Sequence, residues 1–301
     1  MNRRDFTKTS AMAALSAAFL PNFEKFSAFA PDNRHIGVQL WSVKDDMETD
    51  ASQTIIEISK MGYTDIETFL MPGGEKGKIF GMNAKEFKTL LKNLEIKSPS
   101  GHYPLPFKNQ GEKDPLNDEA KRLVDFAALL GQKYVVLPYV MPNDRTPENF
   151  AKVALTLNKA SEYAKTVNES MTVCYHNHDF EFLTKVGDQT AYEFLLTNTA
   201  PEVMFEMDVY WVNKAKANCI DLFKKYPGRF PLLHMKDMAD TTERETIEIG
   251  EGLIDFEAII KEKRTSGAKY YFVELEHYQD TPMKGIKTCY KAMDKLLTKK
   301  K

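Results

Sequence analysis

The sequence predicts a single α/β domain of the (β/α)8 barrel type, and three observations carry that prediction. Eight short β-rich runs alternate with eight helical patterns in one series that begins at Ile36. No Ser/Gly-rich linker breaks the series, and the first run lacks the Gly-rich phosphate turn usual in an open doubly wound sheet. The length of 301 residues suits one such barrel.

Each unit is legible from local chemistry. Ile36–Val43 is the first run, followed by a helix around Thr49–Met61 that stops at Gly62. Tyr63–Phe69 leads to a helix near Asn83–Leu94, and Ile96–Tyr103 to Asp118–Leu130, closed by Gly131. Tyr134–Tyr139 is the fourth run, and Pro147 suits the first turn of its helix, Pro147–Val167. Met171–Tyr175 precedes a helix near Gln189–Thr197, and Val203–Val209 one near Cys219–Tyr226. Phe230–Lys236 has a longer connection to Phe256–Arg264, and Tyr270–Glu276 precedes a last helix at about Met283–Leu297.

Residues 1–30 are set apart from the barrel, which is assigned to 31–301. Arg3, Arg4 and Phe6 precede an apolar, small-residue stretch, Ala11–Leu20, and Ala28-Phe29-Ala30 offers a cleavage site. This looks like a twin-arginine-type signal peptide, so an exported, periplasmic protein is expected. Beyond it no apolar run approaches the ~18–20 residues that cross a bilayer, so the mature chain is expected to be soluble and free of membrane. A formal charge of −2 offers nothing to a polyanion, and no nucleic-acid partner is expected. Cys174, Cys219 and Cys289 have neither disulfide-framework nor zinc–thiolate spacing and read as buried thiols. A homo-oligomer is compatible with all of this.

In such a barrel the C-terminal strand ends face the active site. Glu67, His102, His176, His178, Asp208, His234, Glu274 and Glu276 gather at those ends, and with His277 just after Glu276 so do five of the six histidines. Charged groups within apolar strands are costly unless paired or coordinating. A metal site of His176, Asp208, His234 and Glu274 accounts for them together. Its imidazole–carboxylate mixture suits one divalent ion of manganese, cobalt, iron, nickel or zinc, and not a calcium cage. Each residue also has a plainer reading: His234 as a bonded core histidine, Asp208 or Glu276 paired with Lys236.

The runs VCYHNHDFEF, FEMDVYWV, LLHMKDM and FVELEH, with GHYPL and EIGEGLIDF, resemble the xylose-isomerase-like TIM barrel family of sugar (phosphate) isomerases, epimerases and inosose dehydratases. The resemblance runs from Ile36 to the last helix. It implies a divalent ion held by Glu, Asp, His and Glu from strands five to eight, bound to vicinal oxygens of a ketose or inosose. Asp208, His234 and Glu274 match that pattern. At the first position this chain has His176-Asn177-His178 where the family commonly has Glu, which doubles as a base in many epimerases.

A small-molecule sugar is therefore the expected substrate, activated by a metal-polarised carbonyl and α-proton abstraction. Glu276, His178 and Lys236 are the candidate catalytic groups. Glu67, His102, Trp41 and Trp211 are the candidates for hydroxyls and sugar faces. The expected reaction is isomerisation or epimerisation of a non-phosphorylated ketosugar, or elimination from a 3-keto-glycoside or inosose; the His at position 176 favours elimination. Two other classes compete: a non-catalytic sugar-binding protein of the periplasm, and an abasic-site endonuclease, which would need more ligands and a basic face.

Overall fold

The computed structural model describes residues 35–71, 75–108 and 116–298, so the expected leader at 1–30 lies outside the described residues. Eight parallel strands close into a barrel: β1 (Ile36–Gln39), β2 (Asp65–Phe69), β3 (Lys97–His102), β4 (Tyr134–Leu137), β5 (Thr172–His176), β6 (Met204–Asp208), β7 (Leu232–Met235) and β8 (Tyr270–Val273). Each strand pairs with the next in sequence, and β8 returns to β1 with Phe272 opposite Gly37. The helices after the strands are α1 (Lys44–Met61), α2 (Ala84–Asn93), α3 (Asp118–Leu130), α4 (Pro147–Val167), α5 (Ala191–Asn198), α6 (Cys219–Lys225), α7 (Phe256–Lys261) and α8 (Pro282–Thr298).

Helix ends follow side-chain capping. Asn83 and Glu86 form a reciprocal capping box at the start of α2, and Thr146 caps α4 just before Pro147. Gly62 and Gly131 end α1 and α3 in the left-handed conformation. The start of α1 differs from expectation: it begins at Lys44 but is interrupted at Asp50, whose carboxylate accepts from Gln53 N at 2.9 Å. The run Ile36–Val43 also breaks early. Leu40–Val43 is a 3-10 turn, because the Gln39 side chain caps Trp41 N at 3.2 Å.

Alternation along the strands separates two cores. Val38, Ile66, Val135, Val173, Phe205, Met207, Leu233, Met235, Tyr271 and Val273 face outward into the large core shared with the helices. Tyr134, Val136, Cys174, Leu232 and Phe272 fill the barrel interior with Met204 and Tyr270. The three cysteines are all buried and unbridged. Among the described residues no helix is long and apolar enough to cross a membrane.

Gly37 lies where the interior is tightest: a Cβ there would run into the Phe272 ring and lie 3.4 Å from Asp65 Cβ. Gly37→Ala is therefore expected to cost roughly 1–3 kcal/mol by overpacking, read as a lowered melting temperature. An unchanged melt would mean that the Phe272 ring moves aside freely.

Candidate metal centre

Going up the inward-facing column of each strand, apolar residues give way to charge near the C-terminal end. Met204, Glu206 and Asp208 succeed one another on β6, Leu232, His234 and Lys236 on and just past β7, and Tyr270, Phe272 and Glu274 on and past β8. The two-residue period of a strand thus stacks two polar layers on the apolar interior.

The upper layer surrounds Lys236. Its Nζ lies 3.1 Å from Asp208 Oδ2, 3.0 Å from Glu274 Oε2 and 2.6 Å from Glu276 Oε1. His234 Nδ1 is 2.7 Å from Glu274 Oε2, and His176 Nε2 is 3.8 Å from Asp208 Oδ2. Asp208 also begins the short helix Val209–Lys214, its Oδ1 accepting from Trp211 N at 3.0 Å.

The lower layer is a carboxylate–imidazole cluster. Glu206 Oε2 lies 2.7 Å from His102 Nε2, 3.0 Å from His176 Nδ1 and 3.1 Å from His234 Nε2. Glu67 Oε2 lies 2.6 Å from His234 Nε2 and accepts from Gln39 at 2.8 Å, while Ser100 donates to Glu67 Oε1 at 2.5 Å. Glu67, a candidate for substrate hydroxyls in the sequence, thus has no exposed surface; it sits in mid-strand, one layer below the mouth. His102 is 8% exposed and bonded downward to Glu206. Glu206, Gln39 and Ser100 were missed from the sequence. Glu206 was findable, since it stands two residues before Asp208 and must share its inward face.

Electrostatics follow from this packing. Burial opposes charge on His234, but the carboxylates of Glu206, Glu67 and Glu274 outweigh it and hold its pKa well above the imidazole range. For His102, burial is likewise outweighed by Glu67 and Glu206, and its pKa rises to about 9. His176 goes the other way: burial and the neighbouring cationic groups push its pKa down, leaving a neutral imidazole. Burial raises Asp208 to about 6 although Lys236 and His234 pull it back. Burial also opposes charge on Lys236, yet Asp208, Glu274 and Glu276 keep it an ammonium.

The donor set fits a divalent transition metal. Ligand atoms of Asp208, His234 and Glu274 lie within 4.8 Å of one another, and those of His102, His176, Glu206 and His234 form a second group. The structure so brings three of the four expected ligands into one group, with His176 shared toward the lower layer. Five acidic side chains here face one ammonium and the two raised imidazoles of His102 and His234, and buried Asp208 Oδ2 accepts no hydrogen bond among the described residues, so the site carries room for further positive charge.

The rim supplies the remaining candidates. Glu276 lies past the end of β8 with its side chain 33% exposed, held by Lys236. Its segment is fixed by Thr246 Oγ1, which accepts from Glu276 N and His277 N, and the 246–254 loop is in turn gathered by buried Asp237, which accepts from the backbone of Met238, Gly250, Gly252 and Ile254. His277, just past Glu276, is exposed and points toward Glu245. His178 packs against Tyr139, Phe180 and Trp211, its buried Nδ1 without a hydrogen-bond partner among the described residues; burial and Lys236 lower its pKa. Trp211 also lies 5.6 Å from Lys236 Nζ, whereas Trp41 packs edge-on against Phe69 at the end of β2.

No functionally curated protein matches the chain. A sugar phosphate isomerase/epimerase from Parabacteroides distasonis superposes with a TM-score of 0.72 at 31% identity, over 86% of this chain and 97% of the other. A second protein so named from that organism gives 0.74 at 25% identity, over 90% and 97%. The IOLI protein, solved with a zinc atom, gives 0.68 at 20% identity over 88% and 99%, a likeness of fold alone. The family model of xylose isomerase-like TIM barrels matches residues 55–296, and the chain belongs to that family.

Proposed function

We propose that this protein is a divalent-metal-dependent enzyme that removes the proton α to the carbonyl of a non-phosphorylated ketosugar. The outcome is isomerisation or epimerisation, or elimination when the sugar is a 3-keto-glycoside or inosose. The observation that carries the reading is the buried group Asp208, His234 and Glu274 at the mouth, completed by His176 Nε2. A manganese, cobalt, zinc, iron or nickel ion bound by these residues would supply Lewis-acid polarisation of a carbonyl and its neighbouring hydroxyl.

The chain's own groups account for the proton. Glu276 is the carboxylate of the site that reaches the rim, and Lys236 holds it at 2.6 Å, ready to accept a substrate proton. Lys236 also places a fixed positive charge where an oxyanion develops. His178, neutral and with Nδ1 unpartnered, follows β5, three strands from β8 around the barrel, and so meets substrate from another side. Glu276 can take the proton at one carbon and, as the carboxylic acid it then is, return it to the oxygen leaving the next, with the neutral imidazole of His178 hydrogen-bonded to the substrate from the other side. That asymmetry favours elimination over a two-carboxylate epimerisation. Trp211 beside His178 offers an apolar face for a sugar ring.

The 31% identical relative carries a sugar phosphate name. The case for an unphosphorylated substrate here is that Lys236 is already engaged by three carboxylates. Export through the twin-arginine-like segment 1–30 belongs to the same proposal, because sugar phosphates are rarely met outside the cell.

The test is solvent exchange. Metal-loaded protein in deuterated water, given a panel of ketosugars, 3-keto-glycosides and inososes with and without phosphate, is expected to wash deuterium into one unphosphorylated member and to stop after chelation. Exchange confined to phosphorylated sugars would overturn the substrate class. Binding without any exchange, indifferent to chelation, would make the protein a sugar-binding module.

A further inference from the structure

Glu206 contacts three imidazoles through a single oxygen, and for His176 it is the one carboxylate within hydrogen-bond reach among the described residues, so that contact decides which nitrogen of the ring carries the proton. A carboxylate only accepts, so each ring nitrogen beside Glu206 Oε2 presents its N–H to it. For His176 the nitrogen is Nδ1, at 3.0 Å; for His234 it is Nε2, at 3.1 Å. The remaining nitrogens, His176 Nε2 and His234 Nδ1, face the upper layer, 3.8 Å from Asp208 Oδ2 and 2.7 Å from Glu274 Oε2. His234 differs from His176: Glu67 Oε2 lies nearer its Nε2, at 2.6 Å, and Glu274 Oε2 receives its Nδ1–H at 2.7 Å, so both of its nitrogens carry protons in the metal-free protein. Glu67 reaches His234 and His102 but is not bonded to His176. Glu206 has no exposed surface, and its Oε1 has no partner, so its engagement with the rings through Oε2 is its whole polar environment among the described residues.

We infer that Glu206 is a positioning residue: it fixes His176 as the Nδ1–H tautomer, and so turns the Nε2 lone pair of that ring up to the metal position at the mouth. The inference rests on the proposed metal dependence for its purpose, though not for the tautomer itself. A carboxylate behind a ligating histidine also raises its basicity, and losing such a partner typically weakens metal binding by about 10–100-fold. The four atoms at Glu206 could instead hold an ion themselves, which would make Glu206 a ligand. Such an ion would need His176 Nδ1 as a lone pair, the reverse of the assigned tautomer, so the two arrangements are exclusive.

Two measurements on the full-length protein decide it. Long-range proton–nitrogen spectra of 15N-histidine protein without metal, with His176→Gln for assignment, are expected to show His176 as Nδ1–H in the wild type. In Glu206→Gln the signal moves toward the Nε2–H pattern or a mixture. Calorimetric titration with zinc chloride is expected to show affinity lowered about 10–100-fold in Glu206→Gln, with an intermediate loss in Glu206→Asp and a larger loss in Asp208→Asn. An Nε2–H His176 in the wild type, or wild-type zinc affinity in Glu206→Gln, overturns the inference. So does binding abolished in Glu206→Gln but intact in Asp208→Asn and Glu274→Gln, which would place the ion in the lower layer. A wild type that binds no zinc, manganese or cobalt removes the proposed function alone, since the spectra still decide the His176 tautomer. The wild-type spectrum also serves if Glu206→Gln does not fold.

Discussion

Lys236→Met is expected to destabilise the metal-free protein by about 3–5 kcal/mol, the range found when one partner of a buried ion pair is removed. The Lys236 side chain is 1% exposed and its ammonium lies within 3.1 Å of Asp208, Glu274 and Glu276. Methionine preserves most of the stem's volume but leaves Asp208 buried without its cation and Glu274 with His234 alone. A divalent ion supplies the missing charge. Saturating zinc or manganese is therefore expected to recover most of the lost melting temperature, and to raise the variant's melt by more than it raises the wild type's. Ligand that binds only the native state stabilises in proportion to how far it exceeds its dissociation constant, so the gain grows with metal concentration. Turnover is expected to stay low in the metal-rescued variant, by at least about 100-fold, if Lys236 stabilises an oxyanion. Melting curves with and without metal read the first part. A variant that melts with the wild type, unaffected by metal, would show that these carboxylates are neutralised without Lys236.

The barrel was legible because its units carry their own punctuation. Asp118–Leu130 and Pro147–Val167 agree with expectation at both ends, since Asn117, Gly131 and Thr146-Pro147 mark those ends chemically. Boundaries failed where a side chain overrode the pattern. Leu40–Val43 is as β-rich as the strand before it, and only the Gln39 cap turns it into a 3-10 helix. Asp50 splits α1 and hides its first half from a search for one continuous period. The upper layer of the site was readable from charges at strand ends. The lower layer was not, because Gln39, Ser100 and Glu206 acquire meaning only when the barrel closes and brings β1, β3 and β6 around one axis. Glu67 was seen but placed one layer too high, for the same reason. Glu274 and Glu276 were both read at the end of the eighth run. With β8 ending at Val273, Glu274 is buried and Glu276 reaches the rim.

Asp208→Asn separates the chemistry of the site from its architecture. The cap on Trp211 N uses Oδ1, and the Asn carbonyl can accept the same bond, so the helix after β6 should keep its start. Zinc affinity is expected to fall at least about 100-fold, because a ligating charge is lost and the amide is a poor donor. Solvent exchange on a ketosugar should fall by about 10³-fold or more. Metal-free stability should move in the opposite direction at neutral pH. Burial raises Asp208 from 3.8 to about 6, so between those values the folded state keeps a proton that the unfolded state has lost. Stability of the metal-free wild type therefore falls as pH rises from about 4 to 6, by roughly 3 kcal/mol from this group. Asn carries no such dependence, and the variant is expected to be as stable as the wild type at pH 4 and more stable at pH 7. With saturating metal the order at pH 7 reverses, since the ion stabilises the wild type alone. Denaturation of both proteins at pH 4 and 7, with metal and with chelator, shows the crossing or its absence. If Asp208→Asn is the less stable protein at pH 7 even in chelator, the Asp208–Lys236 pair stabilises the fold on its own, and Asp208 is a structural partner of Lys236 before it is a ligand.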